Sequence, residues 1–132
     1  MFKPHFARAV IAFAFFASLT ASAIAADSKD EQITRGRALY FQHCIICHQA
    51  AGQGVPGTFP PLANSDYLQA DTARAIRAVA EGLSGAIVVN GKPFNGVMPP
   101  VVLDDAKAAD VLTFVLNAFN NGGGQTRIED FR

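Results

Sequence analysis

Cys44-Ile45-Ile46-Cys47-His48 is the stretch on which the reading of this chain turns. Its cysteines are the only two in 132 residues, three positions apart, with a histidine directly behind the second. Three chemistries compete for such a motif. A C-x-x-C redox pair of the thioredoxin kind belongs to a βαβ unit, and no strand pattern precedes Cys44. A zinc site wants four ligands, usually with a second pair elsewhere; beyond His48 only His43 is near, crowded into the same turn. C-x-x-C-H is also the attachment signature for c-type haem, and there the spacing has a reason. Two thiols three residues apart at a helix end can each add to one haem vinyl group, and the adjacent histidine is then directed at the iron from one face. Cys44 and Cys47 are thus the candidate anchors, His48 the candidate proximal ligand, and one covalently attached haem c the expected cofactor.

Upstream, Lys3 and Arg8 precede an uncharged apolar run from Ala9 to Leu19, and small residues gather before Ala23-Ile24-Ala25. Basic, apolar and small-residue regions in that order form the pattern of a secretory signal peptide. As a helix the apolar run would cover about 17 Å, short of the roughly 30 Å hydrocarbon core of a bilayer. Residues 1–25 are therefore expected to be a cleaved export signal, which places the working protein in a bacterial periplasm, soluble and free of the membrane. The first 25 residues also hold five of the 11 Phe and no acid. The remaining 107 residues carry nine basic against 11 acidic side chains, a slightly negative balance that argues against a nucleic-acid footprint.

Downstream, the periodicity is helical. Ser28 and Glu31 form a capping box ahead of a helix over about Asp30 to His43, with Ile33, Gly36, Tyr40 and Phe41 at helical spacing. Residues 50–63 are rich in Gly and Pro and read as a loop, followed by a helical turn over Ser65 to Gln69. Asp71 caps a helix through about Glu81, stopped by Gly82, with Ile76, Val79, Ala80 and Leu83 inward. Asn90-Gly91 suggests a small hairpin over Val88 to Lys92, which Pro93 limits to a short, edge-like element. Asp104 caps a last helix to about Phe119, burying a stripe of Ala108, Val111, Leu112, Val115, Leu116 and Phe119. The expected organisation is a signal peptide over 1–25, one all-α domain over 26–121 and a flexible tail over 122–132. Three helices and a hairpin give a thin core for such a domain, which is a further reason to expect a bound group at its centre.

The second axial position separates electron transfer from an open, reactive iron. Met98 is the only methionine besides Met1, and it stands in Phe94-Asn95-Gly96-Val97-Met98-Pro99-Pro100, an irregular stretch 50 residues beyond His48. A lone Met is often an apolar gap-filler. Beside two prolines that stiffen the backbone it suits a held ligand, so Met98 is the candidate sixth ligand.

These motifs together resemble the class I c-type cytochromes of the small bacterial monohaem type. The resemblance runs from about Gln32 to Asn120 and is carried by Gly36-x-x-x-Tyr40, Cys44 to His48, Gly52-Gln53-Gly54-Val55-Pro56-Gly57, Phe59-Pro60-Pro61-Leu62, Asn95 to Pro100 and Val111 to Val115. It is similar above all to the cytochrome domain fused to some copper-containing nitrite reductases; no reductase domain accompanies it here, so that activity is not carried over. The resemblance implies a cytochrome c fold of three to four helices around one haem, with at most a small β-hairpin. It also implies that Gly36 and Tyr40 cross the last helix near Val111 and Phe114. Pro60 would offer its carbonyl to Nδ1 of His48.

The expected function is that of a non-enzymatic periplasmic carrier moving single electrons between a donor and an acceptor redox protein, which dock briefly at the exposed haem edge. The alternatives are a peroxide- or gas-reactive haem with a labile sixth ligand, or a dedicated electron-transfer subunit of a dehydrogenase or nitrite reductase. Val55, Phe59, Leu62, Tyr67, Leu68, Ile87, Phe94 and Val97 are the candidates for the haem wall. Past the signal the only lysines are Lys29, Lys92 and Lys107, too few for a broad lysine ring, and Arg74 and Arg77 read as a small basic patch or a solvated helix face, so weak salt dependence of partner encounters is expected.

Overall fold

Ser28 opens the first helix as the sequence indicates. Its hydroxyl accepts from the Glu31 amide while the Glu31 carboxylate accepts from the Ser28 amide, so both loose donors at the helix start are satisfied. This helix, α1, spans Lys29–His43 in a computed structural model that describes residues 27–131. The export signal expected over 1–25 lies outside the described residues. After α1 come α2 (Ile45–His48), α3 (Asp66–Ala70), α4 (Thr72–Glu81), strands β1 (Leu83–Val89) and β2 (Lys92–Met98), α5 (Asp105–Ala118) and a 3-10 turn, Ile128–Phe131. Side chains of Ser65, Asp71 and Asp104 cap α3, α4 and α5 in turn. No helix of the described residues is long and apolar enough to cross a membrane.

The core is the crossing of α1 and α5. Gly36 makes it possible: a Cβ there would lie 2.0 Å from the Asp110 carbonyl oxygen and 2.8 Å from Cβ of Phe114. With the side chain absent, Tyr40 reaches full burial against the rings of Phe114 and Phe119, at centroid distances of 5.4 and 5.1 Å. Val111, Leu112 and Val115 complete the crossing, with Leu68, Ala75 and Val79 joining from α3 and α4. In α4 the inward pair is Ala75 and Val79, one turn apart, while the expected Ala80 is exposed.

Two expectations need correcting. The hairpin is longer than Val88 to Lys92: seven residues of each strand pair antiparallel, from Leu83 with Met98 to Val89 with Lys92, and the supposedly irregular stretch is β2. Pro93 is compatible with this. Next to the two-residue turn, the Val88–Pro93 pair is non-hydrogen-bonded, so the missing N–H belongs to the outer edge of a two-stranded sheet. The tail expected to be flexible is instead packed. Thr126 is buried, its hydroxyl donates to the Ala109 carbonyl at 2.8 Å, and its amide donates to the Thr113 hydroxyl at 3.0 Å. Gln32 of α1 donates to the Thr126 carbonyl at 3.1 Å. The returning segment covers a second face of α5, so every residue from Ala108 to Leu116 is buried rather than a single stripe.

Candidate functional site

The cysteine motif folds as a continuation of α1 with a kink. The Cys44 amide still donates to the Tyr40 carbonyl, and residues 45–48 then form the single turn α2. Residues three apart in a helical turn share a face, and Cys44 and Cys47, both half-buried free thiols, line one cavity together with His48. Burial, followed by the charge of Cys47, pushes the Cys44 thiol up to about 11. That is the reverse of the activated thiolate a disulfide oxidoreductase needs. Among the described residues no three His, Cys, Asp or Glu side chains gather as a metal cluster, so the zinc reading lacks the ligand set it requires.

The loop behind His48 holds the imidazole. Gln49 turns the chain at φ 64, fixed by the Tyr40 hydroxyl donating to its carbonyl at 2.7 Å. Gly54 then donates from its amide to the His48 carbonyl at 3.0 Å, and Leu62 and Ala63 both donate to the Gly52 carbonyl. A Cβ at Gly54 would lie 2.4 Å from the Phe59 carbonyl oxygen, so only glycine lets the two arms of the loop close to this distance. Closure brings the Pro60 carbonyl to 3.0 Å from Nδ1 of His48. A carbonyl can only accept, so Nδ1 carries the proton and Nε2 keeps the lone pair a metal requires. Burial holds the imidazole below its ordinary pKa, against the opposing pull of the Pro60 bond. The ring is therefore kept neutral, the form that ligates.

The cavity measures about 350 Å³ and is lined mainly by apolar groups. Its far wall is one face of the hairpin: Leu83, Gly85 and Ile87 from β1, and Phe94, Gly96 and Met98 from β2. Gly85 and Gly96 are directly paired at the centre of that face. A Cβ built on Gly85 meets nothing within 4 Å, and one on Gly96 meets only the Thr58 carbonyl oxygen, at 3.8 Å. The glycines thus leave a smooth, side-chain-free slot between two rungs of bulky residues. A flat apolar macrocycle fits such a wall, with thiols and a neutral imidazole on the other side of the cavity.

All four sequence candidates, Cys44, Cys47, His48 and Met98, line this single cavity. Of the wall candidates, Phe59, Ile87, Phe94 and Val97 line it as well. Val55, Leu62, Tyr67 and Leu68 do not; Leu68 belongs to the core, and Leu62 packs against it. Leu83, Pro99 and Val101 were missed, and the signal that could have found Leu83 is the alternation Leu83-x-Gly85-x-Ile87, which glycine disguises. Arg74 and Arg77 do not form an unopposed basic patch. Both approach Asp71, at 3.5 and 3.8 Å, and the Arg74 guanidinium stacks 4.1 Å over the Tyr67 ring.

Comparison with known proteins agrees with this geometry. The family model described as cytochrome c matches residues 33–119. A cytochrome c-552 of Thermus thermophilus is 37% identical over 102 residues, covering 74% of this chain and 75% of that protein. A second cytochrome c-552 of Thermus thermophilus shows the same identity over 66% of its length. The cytochrome c subunit of a quinone alcohol dehydrogenase from Gluconobacter oxydans is 31% identical over 80% of this chain, which spans only 23% of that subunit.

Proposed function

Since the chain belongs to the cytochrome c family, whose members hold covalently attached haem c and transfer electrons, we propose that it is a periplasmic one-electron carrier with His48 and Met98 as axial ligands. When bound, the haem supplies an iron that gains and loses one electron without making or breaking bonds to a substrate. The chain's residues do the rest. Cys44 and Cys47 would hold the group through thioether links, with His48, oriented by Pro60, and Met98 as its protein ligands. Leu83, Ile87, Phe94 and Val101 would keep water from the ring.

One observation carries this reading: Met98, 50 residues beyond His48, ends β2 on the wall of the cavity that His48 also lines. A thioether ligand favours ferrous iron, and an apolar pocket disfavours the extra ferric charge, so both raise the reduction potential. Ile46 within the motif and Val97 at the cavity are strongly exposed and uncharged. They offer an apolar rim for brief, small contacts with a donor and an acceptor redox protein. The similarity to a dehydrogenase's cytochrome c subunit supports a membrane-side or periplasmic dehydrogenase as one such donor.

The test is optical. The oxidised protein is expected to show a sulfur-to-iron charge-transfer band that disappears in Met98→Ala. A high-spin native spectrum, or a band that survives Met98→Ala, overturns the ligand assignment.

A further inference from the structure

The hairpin is fixed at its two ends by unrelated devices. At the base, Gly82 lies so close to the departing strand that a Cβ would come within 2.8 Å of the Met98 carbonyl oxygen. The chain just past Met98 is tied back to α4, with the Val101 amide donating to the Val79 carbonyl at 2.9 Å. At the tip, the Asn90 amide donates to Oδ1 of Asp66 at 2.7 Å, and the Asp66 amide donates to Oδ1 of Asn90 at 3.1 Å. A third bond runs from Nδ2 of Asn90 to the Ala63 carbonyl at 3.4 Å. Tip and α3 are thus joined by a reciprocal pair in which each residue gives one hydrogen bond and takes one.

We infer that Asp66 and Asn90 are positioning residues whose reciprocal bonds hold the tip half of the hairpin closed over the haem and so set its reduction potential by excluding water. A two-stranded ribbon has little rigidity of its own, and the outer face of this one is open, with Val88 60% exposed. Next to the latch, Ile87 and Phe94 form the rung of the hairpin that lines the cavity nearest the tip. Released at the tip and held at the base, the ribbon would swing this rung away from the ring and leave Met98 in place. Water admitted there stabilises the ferric charge and lowers the potential, with the axial ligands unchanged. The inference rests on the carrier reading for the retention of Met98, but the change in potential is read independently of it.

Asn90 has φ 51 and Gly91 φ 74, a two-residue turn with both residues in the left-handed region. Asn90→Gly therefore keeps the turn and leaves charge unaltered; it removes both bonds of the Asn90 side chain, which breaks the reciprocal pair, and leaves only the backbone amide bond to Asp66. Asp66→Asn keeps the accepting Oδ1 and removes the charge, which separates the latch from the local field. In the full haem-bearing protein, Asn90→Gly is expected to shift the one-electron equilibrium about tenfold toward the ferric form, a fall of about 59 mV. The charge-transfer band should persist and hydrogen exchange at Ile87 and Phe94 should quicken. Asp66→Asn should not show that fall in potential, nor the faster exchange. An unchanged potential in Asn90→Gly, even with a lower melting temperature, overturns the inference, as does a fall in Asp66→Asn as large as in Asn90→Gly. Loss of the band in Asn90→Gly overturns the division between tip and base. A wild-type protein without the band would refute Met98 ligation instead, and the latch is then judged on the difference in potential alone.

Discussion

Glycine is used in opposite ways in the two halves of this molecule. At the α1–α5 crossing, Gly36 is pressed against the backbone of Asp110, and the space its side chain would fill is taken by protein. In the hairpin, Gly85 and Gly96 face a cavity where an added Cβ meets almost nothing. One half closes on itself; the other is shaped around what it holds. The first half is accordingly rich in direct contacts, among them the ring cluster of Tyr40, Phe114 and Phe119 and the Arg35 clasp on Asp110. The second is a wall of alternating bulky and absent side chains. A domain whose own core looks thin by residue count is complete only with its prosthetic group counted in.

Perturbing each half in turn should expose the contrast. Gly36→Ala should be the most damaging to stability, at about 3 kcal/mol, since the clash is with backbone that cannot move aside; thermal unfolding of the haem-bearing protein measures it. Arg35→Ala should cost about 2 kcal/mol. The guanidinium holds Asp110 by two bonds, at 2.6 and 2.8 Å, and also pairs with Asp27. Removing it leaves a carboxylate whose side chain is only 8% exposed without its partner, a loss moderated because Arg35 itself is 44% exposed. Denaturant titration would show it.

Gly96→Leu should scarcely disturb protein contacts yet fill the slot. Its expected signature is a loss of haem per chain, measured by pyridine haemochrome assay, with the α1–α5 half still helical by circular dichroism. If Gly96→Leu retains full haem while unfolding as readily as Gly36→Ala, the contrast between the halves is wrong. The smallest effect is expected from acid acting on the helix caps. Hydrogen bonds from Ser28 hold Glu31 below its ordinary pKa, and those from Lys107 do the same for Asp104. The stability these carboxylates add is full above the unfolded carboxylate range and is lost as pH falls through their lower folded values. Ser28→Ala, which keeps the backbone bond to Glu31, should remove only the hydroxyl's part of that acid sensitivity, seen as a slightly shallower fall in melting temperature below about pH 4.

Local chemistry made much of this legible beforehand. The caps at Ser28, Asp71 and Asp104 follow from one side-chain oxygen meeting free amides, and the structure has all three. The motif Cys44 to His48 and the lone Met98 were readable because their chemistry is rare, and the fold brings them to one cavity. Non-local facts were hidden. The hairpin looked short because Pro93 breaks most strands, but in a two-stranded sheet each strand has an outer edge that needs no donor. Its cavity face was masked because Gly85 and Gly96 carry no hydrophobic signal. The tail looked loose because Gly122-Gly123-Gly124 precedes a polar segment. Its anchor is the hydrogen bonding of one buried threonine, Thr126, to partners 13 and 17 residues earlier.

The proposed carrier would have both faces of its iron closed, by His48 on one and Met98 on the other. Exposing the reduced native protein to carbon monoxide asks whether it does. The absorption spectrum of the native protein should be left unchanged by carbon monoxide, and that of Met98→Ala should alter promptly; rapid uptake by the native protein would contradict the closed iron.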